Sequence, residues 1–251
     1  MNLGGIEPTI LAPAFAAGLL VLASHVPLGQ AVLKRGIVFL DLAIAQIAGL
    51  GVVLVHSLGG EAWPWLTQIG AVTAALLGAL FLHLMEQRSS SRQEAIIGTT
   101  FVAAACFALI LMSHDPHGAE HLQDLLVGQI LWTTWVGLLP LAMVTALVLA
   151  AWFGLNWRAS PLGFYALFAI TITASVQVVG IYLVFASLIV PALVARGRLV
   201  RGYLLGAAGY ALGLVASGLF DLPSGAAIVL ALVAVAVAVA IGGPASAESV
   251  A

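Results

Sequence analysis

Nine apolar runs set the terms on which this chain can fold. They cover residues 9–24, 37–58, 64–85, 95–113, 134–153, 162–175, 178–195, 203–220 and 224–242. A helix rises about 1.5 Å per residue, so about 20 apolar residues cross the hydrocarbon of a bilayer. A backbone immersed in lipid must satisfy its own amide groups, and an α-helix does so within one segment. The runs predict an all-α polytopic integral membrane protein, a bundle of eight or nine transmembrane helices. The count turns on 162–175. That run is short for a span and can form half of a broken pair with 178–195. The chain is 63% hydrophobic and 7% charged, where a soluble domain carries about 25% charged residues. Residues 1–242 therefore read as a single transmembrane domain, followed by a short disordered cytoplasmic tail at 243–251.

The basic residues orient the bundle. There are eight, Lys34, Arg35, Arg88, Arg92, Arg158, Arg196, Arg198 and Arg201. With nine spans and the N-terminus outside, all of them fall in inner loops, as the positive-inside rule asks. The outer loops then hold Glu61, the segment 114–124 and Asp221. No Lys or Arg precedes the first apolar run, so no cleavable signal peptide is expected. A net charge of −2 gives no reason to expect nucleic acid, and the single Cys106 excludes a disulfide within one chain. Gly202, Gly206, Gly209 and Gly213 give two GxxxG spacings. These read first as close helix packing within one subunit, with a dimer seam as the other reading.

Four groups of residues could carry chemistry. Asp41 lies a few residues inside the second run. A carboxylate there is expensive and marks either an ion path or a pair with Arg35 at the inner interface. The second group is the outer segment with His114, Asp115, His117, Glu120 and His121. Imidazole and carboxylate suit Zn²⁺ or a similar divalent ion, and His117 and His121 share a face if the segment is helical. Neutral imidazole is the ligand, and its ordinary pKa is about 6.5, so capture should weaken below about pH 6. The third is Thr171, Thr173, Ser175 and Gln177, a polar stripe that either bonds back to its own helix or lines a path. His25, beside Pro27, is read as a structural residue of an inner loop.

The fourth is Val178 to Arg201. It starts as a span with Gly180 near its start and Pro191 near its end, then presents Arg196, Arg198 and Arg201. Pro191 is expected to kink or end the helix. A basic corner at that point is something a soluble motor could push. The motor itself is elsewhere: a P-loop requires Gly-Lys-Ser/Thr, and Lys34 is followed by Arg35. HExxH, GxSxG and paired catalytic carboxylates are also missing from the sequence, so an enzyme is not expected.

The run VVGIYLVFASLIVPALVAR resembles a signature of the zinc/manganese class of metal ABC-transporter permeases. Further pieces follow that family's order: PLGQAVLKRGIVFLDLA at 27–43, RQEAIIG at 92–98, LLVGQIL at 125–131 and LPSGAAIVL at 222–230. The resemblance implies a homodimer in a bacterial-type cytoplasmic (inner) membrane. It also implies a separate cytoplasmic ATPase on each subunit and an extracytoplasmic metal-binding protein docking outside. No cofactor is held permanently; the divalent metal, Zn²⁺ first and Mn²⁺ second, is cargo. The family places Asp41 in an Asp-x-x-x-His pair that the metal passes. Here the fourth position onward is Ala45, and Gln46 lies about 140° around the helix from Asp41. His83, near the inner end of the third run, is the candidate replacement. The resemblance further implies that His114, Asp115, His117, Glu120 and His121 receive metal from outside. Pro191, Arg196, Arg198 and Arg201 would couple to the ATPase, and Glu94 in RQEAIIG would start a helix on the motor side. The alternative is an ion-gradient-driven secondary metal transporter or channel. That reading needs charged residues in several spans, and only Asp41 and His83 offer themselves.

Overall fold

A computed structural model describes residues 7–59, 63–88, 92–113, 123, 125–155, 157–195 and 197–242. Helices α1 (Pro8–Arg35), α2 (Leu40–Ser57), α3 (Pro64–Arg88) and α4 (Gln93–Met112) form the first half. Helices α5 (Leu138–Phe153), α6 (Pro161–Val179), α7 (Ile181–Ala195), α8 (Leu199–Phe220) and α9 (Ser224–Gly242) form the second. Among the described residues there is no strand. All but α5 and α7 are long and apolar enough to cross a bilayer unaided. The chain is an all-α, multi-pass membrane protein, as the apolar runs predict.

Two boundaries differ from the sequence reading, each for a physical reason. The first run was expected to end at 24 and leave His25 and Pro27 in a loop. Instead α1 continues through Pro27 to Arg35. A proline at 27 has no N–H for the carbonyl of Ala23, one turn back. The Tyr203 hydroxyl of α8 donates to that same carbonyl at 3.1 Å. The lost backbone bond is replaced from a neighbouring helix, which is how lipid-embedded helices tolerate proline. His25 is consequently a core residue, fully buried, with Nδ1 2.8 Å from the Val21 carbonyl.

The second difference is at 162–180. The short run is a 19-residue helix, α6, and the break falls at Gly180 rather than near 176. Gly180 has φ 79°, a conformation that side chains with a Cβ resist, so the helix stops at Val179 and α7 starts one residue later. The α6–α7 break packs against an irregular stretch, 128–137, that contains one short 3-10 turn at Ile130–Trp132. A Cβ on Gly128 would fall on the Val179 carbonyl carbon and the Gly180 nitrogen. Both glycines have positive φ and their backbones touch. Ile130 is buried in this stretch, whereas Trp132, Trp135 and Val136 further along it are exposed.

Small residues set the helix spacing. Gly202 and Gly206 of α8 face Val26 and Leu22 of α1, while Gly209 and Gly213 face Leu232 and Ile228 of α9. The GxxxG spacings thus serve packing within one subunit. On the other side of the bundle Gly51 of α2 meets Gly70 and Ala74 of α3, and Gly78 meets Ile47. Among the seven long apolar helices, α2 and α6 are the most enclosed, with 56% and 61% of their apolar windows buried, against 22% for α4 and α9.

Candidate functional site

Asp41 is the second residue of α2 and is buried. Gly36, at φ 70°, caps α1, and the turn 36–39 then sends the chain back as α2. The first turn of a helix favours a carboxylate, because its free N–H groups carry partial positive charge. Oδ1 takes up this offer by accepting from the Leu42 N–H at 2.8 Å. Oδ2 is buried without any partner. The alternative partner from the sequence, Arg35, is engaged elsewhere: its guanidinium carbon sits 4.0 Å from the centre of the Phe164 ring. Ala45, one turn on from Asp41, is buried and offers no ligand, and Gln46 is buried as well.

The α2–α3 register fixes the depth of His83. With Ile47 against Gly78 and the helices antiparallel, six residues inward brings Asp41 level with Leu84. His83 therefore stands at about the depth of Asp41, but among the described residues no hydrogen bond or ion pair joins the two. His83 Nε2 lies 3.1 Å from the Gln87 amide, and Nδ1 lies 3.6 Å from Glu86 Oε2. Its ring packs at 5.4 Å on Tyr165 of α6. The Tyr165 hydroxyl accepts from Gln93 Nε2 of α4 at 2.7 Å. A polar network at one end of the bundle thus joins α3, α4 and α6. Sequence reasoning missed Glu86, Gln87, Gln93 and Tyr165, since Gln93 and Tyr165 are 72 residues apart and no spacing rule links them. The one available hint was that Glu86, Gln87 and Gln93 flank the basic positions Arg88 and Arg92.

Glu94 stands in the first turn of α4, as its position suggested, and does more. Oε1 accepts from the Phe39 N–H at 3.3 Å, which ties the start of α4 to the turn before Asp41.

The corner proposed for motor coupling is compact. Pro191 is buried, and α7 runs past it to Ala195 instead of stopping. Gly197 turns the chain at φ 83°, and the Arg198 N–H donates to the Ala195 carbonyl at 3.0 Å. Arg198 is exposed at the N-cap of α8, and Arg201 is half-buried in its first turn. Arg196 lies outside the described residues.

At the opposite end a cleft of about 240 Å³ is lined by His56, Thr67, Gln129 and Gln177 together with Met112 and Leu125. His114, Asp115, His117, Glu120 and His121 lie outside the described residues, and the last two lining residues bracket them. Of the polar stripe on α6, Gln177 reaches this cleft. Thr171 bonds back to the Leu167 carbonyl at 2.7 Å, while the Thr173 and Ser175 hydroxyls are buried without partners. Among the described residues no three His, Cys, Asp or Glu side chains converge.

Known proteins resemble the chain in both sequence and fold. The sequence profile of the ABC 3 transport family matches residues 7–159 and 148–242. The manganese transport system membrane protein MntC of Listeria innocua is 28% identical over 229 residues, covering 81% of this chain and 80% of that protein. The chelated iron transport system membrane protein YfeD of Yersinia pestis is 29% identical over 146 residues, covering 51% and 49%. In fold, PsaBC from Streptococcus pneumoniae, solved in complex with Fab, superposes with a TM-score of 0.72 at 22% identity, over 95% of each chain. With its profile match spanning almost the whole described sequence, the chain belongs to the ABC 3 transport family, the membrane permeases of metal ABC transporters.

Proposed function

We propose that this chain is the membrane-spanning subunit of an ATP-driven importer of a divalent transition metal. The observation that carries this reading is Asp41. A buried carboxylate oxygen without a donor is costly by several kcal/mol unless something cationic passes it. It sits on α2, where 56% of the apolar window is buried. Among cargo metals, manganese comes first and zinc, the first expectation from sequence, second. Relatives named for manganese and chelated iron support that order. So does the chemistry, because Ala45 removes the imidazole of the Asp-x-x-x-His pair and leaves the Asp41 carboxylate, a hard oxygen donor that suits Mn²⁺.

The N-terminus faces outside, and the end of the bundle with Lys34, Arg35, Arg88, Arg92, Arg198 and Arg201 faces the cytoplasm of a bacterial-type inner membrane. A separate ATPase binds at the α7–α8 corner, through Arg196, Arg198 and Arg201. Two copies of the permease pair, and an extracytoplasmic metal-binding protein delivers cargo to the outer cleft, where His114, Asp115, His117, Glu120 and His121 assist. The chain is a transport subunit, not an enzyme.

The test is uptake by proteoliposomes that hold the permease with its ATPase. ATP-dependent Mn²⁺ accumulation is expected in the parent, and none in Asp41→Ala at equal membrane content. Full uptake by Asp41→Ala would return Asp41 to a purely structural role. Uptake driven by an ion gradient without ATP would favour a secondary transporter.

A further inference from the structure

We infer that the crevice between the inner ends of α1, α5 and α8 is a binding site for the phosphate of an anionic phospholipid. The crevice has a volume of about 300 Å³, and its lining includes Gln30, Lys34, Arg35, Trp152, Phe153 and Leu199. Three features give it a preference. First, Lys34 and Arg35 supply two positive charges, and among the described residues no Asp or Glu lines the crevice. Arg35 is held in place by its stacking on Phe164 at 4.0 Å. Second, Gln30 Nε2 is buried and has no acceptor. A buried amide donor left unpaired calls for an oxygen, and none of the lining side chains provides one. Third, Leu199 brings the start of α8 to the edge of the crevice, and the N-cap residue Arg198 makes no side-chain bond there. Its first-turn N–H groups add to the donor excess.

Shape and surroundings favour a lipid over a free anion. The crevice opens beside Phe153, which is 53% exposed, and Trp152 forms an apolar wall. A headgroup could settle its phosphate among the donors while its acyl chains run along Phe153. Basic pockets between transmembrane helices on the cytoplasmic side are suited to anionic headgroups. The reading uses neither Asp41 nor any part of the transport path, so it stands or falls apart from the proposed function.

The test uses the full-length permease purified in mild detergent, titrated with phosphatidylglycerol or phosphatidylcholine and read by native mass spectrometry. Phosphatidylglycerol should bind about tenfold more tightly than phosphatidylcholine, because both carry the phosphate but the choline cation of the latter meets Lys34 and Arg35. Lys34→Gln should weaken phosphatidylglycerol about tenfold and shrink its lead over phosphatidylcholine, whereas Gln30→Leu should weaken both lipids, whose phosphates are alike. Lys34 is exposed at a helix end, so its variant should fold even if Gln30→Leu does not. Equal binding of the two lipids, or unchanged binding in Lys34→Gln, would overturn the proposal. Displacement of phosphatidylglycerol by equimolar inorganic phosphate would make the ligand a soluble anion and overturn the lipid assignment. A Lys34→Gln variant that keeps phosphatidylglycerol but loses the ATPase would assign the crevice to that partner instead.

Discussion

Replacing Tyr203 with Phe removes one oxygen atom and tests how α1 survives its internal proline. The Tyr203 hydroxyl is the donor to the Ala23 carbonyl, the one that Pro27 leaves without a backbone partner. An orphaned carbonyl in a protein interior costs about 1–3 kcal/mol. For a chain of this size about 1 kcal/mol moves the midpoint by about 2–4 °C, so Tyr203→Phe should lower it by about 2–12 °C. The decisive measurement is a double-mutant cycle with Pro27→Ala. Alanine restores an N–H at position 27 that can reach the Ala23 carbonyl, which makes the Tyr203 hydroxyl partly redundant. Tyr203→Phe should therefore be milder in the Pro27→Ala background, with a coupling of about 1 kcal/mol or more. Thermal unfolding of the four purified proteins in one detergent gives the cycle. Strictly additive midpoints would show that Tyr203 does not serve the proline, and the account of the continuous helix would fail.

Asp41→Asn should separate stability from transport: it keeps an acceptor for the Leu42 N–H, removes a buried ionisable group whose Oδ2 has no partner, and should raise the unfolding midpoint by about 2–8 °C while uptake falls at least about tenfold. An unchanged midpoint together with unchanged uptake would mean that Asp41 carries no charge burden at all. Arg196→Glu with Arg198→Glu should leave the fold and membrane content intact but abolish stimulation of the ATPase, measured as ATP turnover in the assembled complex; normal turnover would move the contact elsewhere. His114, His117 and His121 replaced together by Ala should raise the external metal needed for half-maximal uptake and leave the plateau unchanged. Because imidazole binds metal only when neutral, the parent should lose capture as external pH falls below about 6, and the triple variant should not show that loss. Superimposable uptake curves across metal concentration and pH would refute a capture role.

The sequence was most informative where a single physical rule governs. Apolar length sets which segments are helices, and Asp41 stood out because a carboxylate is out of place in a span. The GxxxG glycines were likewise read correctly as contacts within one subunit. What stayed hidden depended on partners distant in sequence. Pro27 looked like the end of a helix, since nothing near it announces that Tyr203 will supply the missing donor. The break at Gly180 was misplaced because a glycine within an apolar run can be either a packing residue or a left-handed stop. Arg35 was the natural partner for Asp41 by proximity in sequence, yet an aromatic face 129 positions further along holds it, the difference between 164 and 35. The polar network of His83, Glu86, Gln93 and Tyr165 required three helices to be placed first.

The touching backbones of Gly128 and Gly180 make α7 a strut without slack. At about 1.5 Å per residue its 15 residues reach about 22 Å, from Ala195 beside the basic corner to the break after Val179. One residue joins α6 to α7, so there is no loop at that end to absorb a shift. The irregular stretch that begins at Gly128 rests directly on this joint, and Gln129, the next residue, lines the cleft at the far end of the bundle. Tilting α7 from its arginine-flanked end would therefore act as a lever on the mouth of that cleft, with bare backbone as the bearing surface.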